Sequence, residues 1–338
     1  MKLGVVTLAL ALLAAPGVLP AQEHGAAPRP ATPSGAVANE VDQSLQTGEP
    51  ATEAPRAGGG AADIIMPHIT DAPHMEVPWP LPPFYKEVHL PHWAPVHLGP
   101  LTLDLSPTKH VVMMIVAALL CAITLITAAR AHRRHHHTAG SPKGFAAGIE
   151  ALVLYIRNDV IMANVGPGGQ GYVPFLLTLF FFILFANMLG LIPYGSTATG
   201  NISVTATLAV MSFIVIEIAG MRALGKGYIG TIVYWPHEGP FLMRVFLSAI
   251  LTPVEIIGKF TKPFALAIRL FANMTAGHVI VLALIGIIFT FQSWFLAPAP
   301  FLMALAIMLL EVFVALLQAY IFTMLVSVFI GQIRTAHH

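Results

Sequence analysis

Five long runs of apolar residues restrict what this chain can fold into. His110–Ala129, Val173–Ile192 and Ile202–Met221 are each 20 residues long, and longer runs follow at Phe241–Phe289 and Phe301–Gln332. About 20 apolar residues in a helix span the ~30 Å hydrocarbon core of a membrane. Only 10% of the residues are charged, whereas soluble domains carry about a quarter. The runs therefore predict an all-α integral membrane protein with about five membrane-crossing helices.

The fourth run is too long to cross a membrane upright. A helix over the 49 residues of Phe241–Phe289 would measure ~73 Å, more than twice the thickness of the core. It must tilt steeply or lie partly flat. The turn "QSWFLAPAP" (292–300) separates it from the last run, so we expect the last two helices to form an antiparallel hairpin. Residues 145–164 have mixed polarity and predict an amphipathic helix on the membrane surface.

The first quarter of the chain has a different composition. Residues 1–21 are typical of a secretory signal peptide, with a basic start, a short apolar run and two prolines. Leu19 stands where a cleavage site prefers a small residue, so an uncleaved anchor is the alternative. Residues 22–84 are rich in Ala, Pro, Gly and Thr and predict a disordered extracytoplasmic tail. The membrane domain is expected to cover 85–338, beginning with a segment at the membrane surface.

Basic residues indicate the orientation of the helices. "RAHRRHHH" (130–137) follows the first run, Arg222 and Lys226 follow the third, and Arg334 follows the last. Basic clusters beside membrane spans mark the cytoplasmic side. A signal peptide and five crossings put the N-terminus outside, the C-terminus in the cytoplasm and all these clusters on the cytoplasmic side.

The histidines of the first basic loop and the net charge of the chain bear on which ligands it could bind. The three consecutive histidines in 130–137 could form a metal site, but we interpret them as part of a solvated basic loop. We expect no metal and no cofactor. The net charge of +1 gives no indication of nucleic-acid binding.

A few ionisable residues lie inside or beside the apolar runs. Glu217, Arg269 and Glu311 are inside them, and Glu255 is close to that condition. Each such residue costs about 2.5–3.5 kcal/mol on membrane-insertion scales, so it persists where it pairs or faces water. Arg269 has no acidic residue within a dozen positions on either side. Since an arginine stays charged, Arg269 is a candidate for a fixed positive gate.

Two lysines and one acid have simpler interpretations. Glu217 is expected to be an interfacial acid or a salt-bridge partner, one turn before Arg222. Lys259 and Lys262 are expected to extend their ammonium groups toward the membrane surface, as long basic side chains do near membrane boundaries.

Helical spacing arranges the remaining polar residues by face. Arg269 and Asn273 are four residues apart and share a face. Glu255 lies about 40° away on that face and ~21 Å toward the cytoplasmic end. His278 lies on the opposite face, ~13.5 Å nearer the outside.

Folding the last two helices about the turn at 290–300 arranges the same residues by depth. His278 and Glu311 reach one depth, and Arg269 and Gln318 match to within ~5 Å. The deeper level therefore holds Arg269, Asn273 and Gln318. A lone histidine in a helix is more often a packing residue. The alignment of several polar residues at two depths favours a functional interpretation.

Three motifs carry a resemblance to a known family. "KPFALAIRLFANMTAGH" (Lys262–His278), "EVFVALLQAY" (Glu311–Tyr320) and "FANMLGLIPYGSTATGNISVT" (Phe185–Thr205) resemble segments of the a subunit of the rotary ATP synthase membrane sector. The resemblance covers roughly residues 85–335. Ala265 stands where the family often has a small hydroxyl residue.

The resemblance implies a proton-translocating stator subunit without a catalytic site of its own. Two offset half-channels would couple proton flow to rotation of a c-subunit ring and to ATP synthesis. It implies these residue roles: Arg269 as the gate facing the c-subunit carboxylate, His278 and Glu311 in the outer half-channel, Glu255 near the inner half-channel, and Asn273 and Gln318 as polar neighbours of the arginine.

The resemblance also implies the surroundings of the protein. The expected partners are the c-subunit ring, against which the last two helices would tilt, the b subunits of the peripheral stalk, and lipid of a bacterial inner membrane. No small-molecule substrate other than the proton is expected. The alternative is a secondary transporter that binds an anionic solute at Arg269. Inverted repeats and broken helices would indicate that class, and the sequence shows neither.

Overall fold

The computed structural model describes most of the chain after residue 105 and short stretches before it. The described residues are 72, 74–78, 85–93, 96–98, 101–103, 106–135, 145–192, 197–233, 235, 240–291 and 295–335. The predicted signal peptide (1–21) lies outside the described residues, as do most of the predicted tail (22–84) and most of the histidine cluster in the loop after the first run.

Two short β-hairpins precede the helices. Strand β1 (His74–Pro78) pairs antiparallel with β2 (Tyr85–His89), and β3 (Val96–Leu98) pairs with β4 (Leu101–Leu103). The prediction of disorder up to residue 84 is therefore wrong for β1. Averaged over 22–84, the composition does not show the short segment "HMEVP", in which polar and apolar residues alternate. Its partner strand lies beyond residue 84.

Six α-helices of more than ten residues make up most of the rest of the described chain. They are α1 (Lys109–His135), α2 (Phe145–Tyr155), α3 (Val173–Gly190), α4 (Ile202–Leu224), α5 (Phe241–Phe291) and α6 (Pro298–Thr335). Five of them, α1 and α3–α6, are long and apolar enough to cross a membrane. The predicted class, an all-α membrane protein with about five crossing helices, is confirmed.

Helix α2 continues into an amphipathic surface segment. It runs into a π-helix at Ile156–Met162 and ends with the helical turn Ala163–Val165. Ile156, Val160 and Ile161 of this segment are buried, whereas the charged and amide side chains between them are exposed. The wider π-helical turn puts residues four and five apart on one side, so a single apolar face packs inward. The predicted amphipathic helix is therefore present.

Helix α3 forms the centre of the helical core. It packs against α1 and α6, while α5 packs against α4 and α6. Phe175, Leu176 and Ile183 of α3 are completely buried. By contrast, α5 exposes large apolar side chains such as Phe264 and Ile268. One broad face of the α5–α6 pair is therefore not covered by the described part of the chain.

Helices α5 and α6 form the predicted antiparallel hairpin, because residues 273 and 278 of α5 contact residues 318 and 311 of α6. The 51 residues of α5 correspond to ~77 Å, and it contains Pro253 and Pro263. Each proline removes one hydrogen bond of the helix and favours a bend there. A helix of this length exceeds the ~30 Å core, which requires tilt or a part that lies flat.

The end of α6 is anchored to the loop before α3. Arg334 donates hydrogen bonds of 2.8 Å from Nη1 to the carbonyl of Val165 and from Nη2 to the carbonyl of Pro167. Gly331 packs so closely on the backbone of Asn164 that a β-carbon would collide with its carbonyl oxygen. These contacts fix α6 against the core and hence the position of the polar residues along it.

Candidate functional site

His278 of α5 and Glu311 of α6 form a direct pair. The distance from His278 Nδ1 to Glu311 Oε1 is 2.8 Å. The Glu311 side chain is 6% exposed and the His278 side chain 21%. The proximity expected from their equal depth in the hairpin is confirmed.

The other ring nitrogen of His278 determines how many protons the pair holds. Nε2 lies 2.8 Å from the carbonyl oxygen of Gly190 and 3.2 Å from Thr197 Oγ1. Because a carbonyl only accepts, Nε2 carries a hydrogen and donates it to Gly190. The contact between Nδ1 and Glu311 then needs one further proton, on the ring or on the carboxyl group. The pair can hold and pass on a single proton.

Small residues allow this arrangement to be so compact. A β-carbon at Gly277 would lie 2.6 Å from Glu311 Oε1, and one at Gly190 would collide with Thr197 Oγ1. A larger residue at position 277 would push Glu311 of α6 away from His278. A larger residue at position 190 would push the connection between α3 and α4 away. These glycines therefore set the distances within the pair.

A buried polar chain lies behind the pair. Thr199 Oγ1 donates to Asn187 Oδ1 at 2.6 Å, and Asn187 Nδ2 donates to the carbonyl of Ala315 on α6 at 3.4 Å. Asn187 and Thr199 are completely buried. Asn187, Thr197 and Thr199 lie within the motif Phe185–Thr205, but the sequence alone singled out none of the three. The sequence feature that could have indicated them is the high density of hydroxyl and amide side chains at the end of an apolar run.

A second polar contact lies deeper along the hairpin. Asn273 Nδ2 of α5 donates to Gln318 Oε1 of α6 at 3.1 Å. Gln318 is 1% exposed, and its Nε2 has no acceptor among the described residues. This contact confirms that the two residues lie at the same depth.

Arg269 is different from all these residues. Its side chain is exposed, one helical turn before Asn273, and it has no hydrogen bond or ion pair within the described part of the chain. The structure does not bring its guanidinium group into contact with Gln318, although the two depths match. Arg269 lies on a surface with Phe264 and Ile268, which are 67% and 40% exposed.

Glu255 lies further toward the start of α5, at a cleft of about 320 Å³ between α4, α5 and α6. The side chain is exposed and has no hydrogen-bond or ion-pair partner among the described residues. Glu217, Lys259 and Lys262 line the same cleft. Glu255 is thus separate from both the His278–Glu311 pair and the Asn273–Gln318 contact.

Comparison with known proteins identifies the family. The sequence profile described as "ATP synthase A chain" matches residues 110–331. The chain is 45% identical to "ATP synthase subunit a 2" of Chlorobaculum tepidum over 312 residues, 91% of this chain and 81% of that protein. This chain belongs to the ATP synthase subunit a family. It is also 46% identical to "ATP synthase subunit a 2" of Prosthecochloris aestuarii, over 85% of this chain and 84% of that protein. A subunit a of an Anaeromyxobacter species is 38% identical over 99% of this chain and 90% of that protein.

Membership in the subunit a family fixes the general function. The protein is a multi-pass subunit of the membrane sector of the ATP synthase and takes part in proton translocation. It works within a complex of several subunits and is not a catalytic subunit. The resemblance drawn from the three sequence motifs is confirmed.

Proposed function

We propose that this subunit a carries protons through two offset half-channels and that Arg269 is the gate between them. The observation that carries the proposal is the exposed guanidinium group of Arg269, which has no partner within the described part of its own chain. Proton-carrying groups lie on both sides of Arg269 along the hairpin. The His278–Glu311 pair is on one side, and Glu255 is on the other.

The environment of Arg269 supports a partner from another subunit. A charged side chain facing lipid in the middle of a membrane costs several kcal/mol. The surface around Arg269 includes large exposed apolar side chains, Phe264 and Ile268 among them. A protein surface that covers this face and presents a carboxylate would remove most of that cost. We propose that this surface is the c-subunit ring.

The gate acts through a fixed charge. A protonated c-subunit carboxyl group that approaches Arg269 loses its proton to the adjacent half-channel and passes the arginine as a carboxylate. On the other side it takes up a proton from the second half-channel. Because Arg269 keeps its charge, it does not carry protons itself, and it opposes direct passage of protons between the half-channels.

The outer half-channel runs through the His278–Glu311 pair. The pair shares one proton at 2.8 Å, and Thr197 and the Gly190 carbonyl hold the imidazole ring in place. Such a pair can take a proton from water on one side and deliver it toward the c-ring on the other.

The inner half-channel includes Glu255. Its exposed carboxylate stands at the cleft on the side of α5 where we place the cytoplasm, ~21 Å along the helix from Arg269. Asn273 and Gln318, bonded to each other beside the arginine, are the polar neighbours that orient an incoming carboxylate.

The arrangement in the cell follows from the same proposal. The N-terminus lies outside the cytoplasm and the C-terminus inside, which puts the basic loops after α1 and α4 on the cytoplasmic side. The b subunits of the peripheral stalk hold this subunit still while the c-ring turns in the bacterial inner membrane.

The alternative of an anion transporter has no support in the structure. That class places its ligand at the ends of broken helices. Helices α5 and α6, which carry Arg269 and its neighbours, are each continuous over their described lengths.

The direct test of the gate is substitution of Arg269 in the assembled complex. Arg269→Ala is expected to abolish ATP synthesis in inverted membrane vesicles and to increase passive proton leak, because the barrier between the half-channels is gone. Arg269→Lys keeps a charge but loses the planar donor fork, so it is expected to fail at coupling with less leak. Arg222→Ala, which removes an exposed arginine at the end of α4, is the control and should couple normally. An assembled Arg269→Ala complex that makes ATP at a near wild-type rate would contradict the proposal.

A further inference from the structure

A cluster of charged side chains lies beside Glu255 and takes no part in the pairs described so far. Glu217 of α4 and Lys259 of α5 form an ion pair, with 3.3 Å between Lys259 Nζ and Glu217 Oε2. Their side chains are 13% exposed for Lys259 and 17% for Glu217. The ammonium group of Lys259 is therefore paired within the chain and largely shielded from solvent.

The ammonium group of Lys259 uses all three of its donors within this cluster. Besides Glu217, it donates to Thr231 Oγ1 at 3.1 Å and to the hydroxyl of Tyr228 at 3.4 Å. It also lies 4.6 Å from the centre of the Tyr228 ring. Since an ammonium group has three donors, no donor remains for another acceptor.

Lys259 is placed where it could also pair with Glu255 of the same helix. The two residues are four apart on α5, with the acid first, which is the spacing and order at which a glutamate and a lysine stabilise a helix by pairing. Here they do not pair, and Glu255 has no partner among the described residues. Glu217 on the neighbouring helix holds the lysine instead.

We propose that Glu217 is a positioning residue that holds Lys259 away from Glu255 and so keeps the Glu255 carboxylate free to exchange protons. The inference rests on the proposed role of Glu255 in the inner half-channel. Glu217 itself need not carry protons, and Tyr228 and Thr231 complete the holding site by occupying the two remaining donors.

Loss of Glu217 leaves Lys259 with a partly buried charge that lacks an anion, which is a costly state. Glu255 is then the one carboxylate left among the described residues that line the cleft. Lys262, the other lysine of the cleft, lies 5.0 Å from the ring centre of Phe329. Lys259 is therefore expected to turn to Glu255, and each proton transfer would have to break that ion pair.

The test compares four variants in the assembled complex: Glu217→Gln, Lys259→Gln, the double variant, and Glu255→Gln. ATP-driven proton pumping in inverted vesicles is measured per assembled complex. Glu217→Gln is expected to pump roughly three- to tenfold more slowly, since a charge pair must be broken at each passage. Lys259→Gln and the double variant are expected to pump at nearly the wild-type rate, because neither contains the lysine that would neutralise Glu255.

The asymmetry between the two single variants separates positioning from simple structural support. If the pair only stabilises the fold, Lys259→Gln slows pumping as much as Glu217→Gln, and that result overturns the inference. Should Glu217→Gln chains not assemble, the double variant decides, because it lacks the lysine that needs to be held. Assembly with near wild-type pumping of the double variant supports the inference, and slow pumping or failed assembly overturns it.

Glu255→Gln distinguishes this inference from the proposal on which it rests. Normal pumping by Glu255→Gln contradicts the role of Glu255 in the inner half-channel. Slow pumping by Glu255→Gln together with normal pumping by Glu217→Gln contradicts only the positioning role of Glu217.

Discussion

Two polar regions on the same helix hairpin differ in the hydrogen-bond partners that their own chain provides. His278 has partners on three sides, namely Glu311, the Gly190 carbonyl and Thr197, all from its own chain. Arg269, nine residues earlier on α5, has none among the described residues. A polar group inside a membrane protein needs a partner or water. Under the proposed function, the chain completes the outer region alone, and another subunit supplies the partner of Arg269.

The packing around the two regions agrees with this division. Glu311 is paired with His278, and its side chain is only 6% exposed. Arg269 lies on the uncovered face of the α5–α6 pair, among apolar side chains that stay exposed. In a subunit of a rotary complex, a buried region can be fixed, while a region that meets successive partners has to remain open.

The largest effect in the outer region is expected from removing either member of the His278–Glu311 pair. His278→Gln and Glu311→Gln are each expected to lower ATP-driven proton pumping roughly 100-fold, the loss that removal of a positioned acid–base group commonly causes. The measurement is pumping in inverted vesicles, normalised to the amount of assembled complex.

The double variant His278→Gln/Glu311→Gln sharpens that test. If the two groups share one proton, the double variant is no slower than either single variant, because each single change already removes the shared function. Losses that multiply would show two independent groups and would contradict the shared-proton pair.

A smaller effect is expected from Gly277, which allows Glu311 to approach α5. Gly277→Ala places a β-carbon 2.6 Å from Glu311 Oε1, and such overpacking costs about 1–3 kcal/mol. If ~1.4 kcal/mol of this cost is added to the barrier of proton transfer, pumping falls roughly tenfold. Gly258→Ala is the matched control on the same helix, because a β-carbon there has no atom within 4 Å. Equal pumping by both alanine variants would contradict the claim that close packing sets the geometry of the pair.

The smallest effect is expected from the Asn273–Gln318 hydrogen bond beside the gate. A neutral hydrogen bond contributes about 0.5–1.5 kcal/mol, so Asn273→Ala should slow coupled ATP synthesis no more than about tenfold. Gln318→Ala and the double variant complete a mutant cycle. A coupling energy of zero between the two positions would show that the contact has no functional role.

Helix positions and the pairing of polar residues by depth could be predicted from sequence, for physical reasons. Apolar runs of 20 or more residues have few structures open to them in a membrane. The constant rise of a helix then fixes relative depth along an antiparallel hairpin. That arithmetic placed His278 beside Glu311 and Asn273 level with Gln318, and both contacts are present.

Contacts that depend on the path of loops and on neighbouring helices could not be predicted in this way. The carbonyl of Gly190 and the hydroxyl of Thr197 reach His278 only because the α3–α4 connection folds over α5. Glu217 lies one turn from Arg222, which made local pairing plausible, yet its partner Lys259 lies on another helix. The spacing of residues along one helix does not show which residue of a neighbouring helix will be the ion-pair partner.

The central claim is that the face of α5 around Arg269 is covered by the c-subunit ring. A photo-crosslinking amino acid at Ala265, which is exposed one turn before Arg269, tests this in the assembled complex. The control position is Leu119 on α1, which is 57% exposed and lies on a helix that packs mainly against α3. Mass spectrometry of the crosslinked products should find c-subunit adducts from position 265 and none from position 119. An assembled, proton-pumping complex that gives no c-subunit adduct from position 265 would contradict the account.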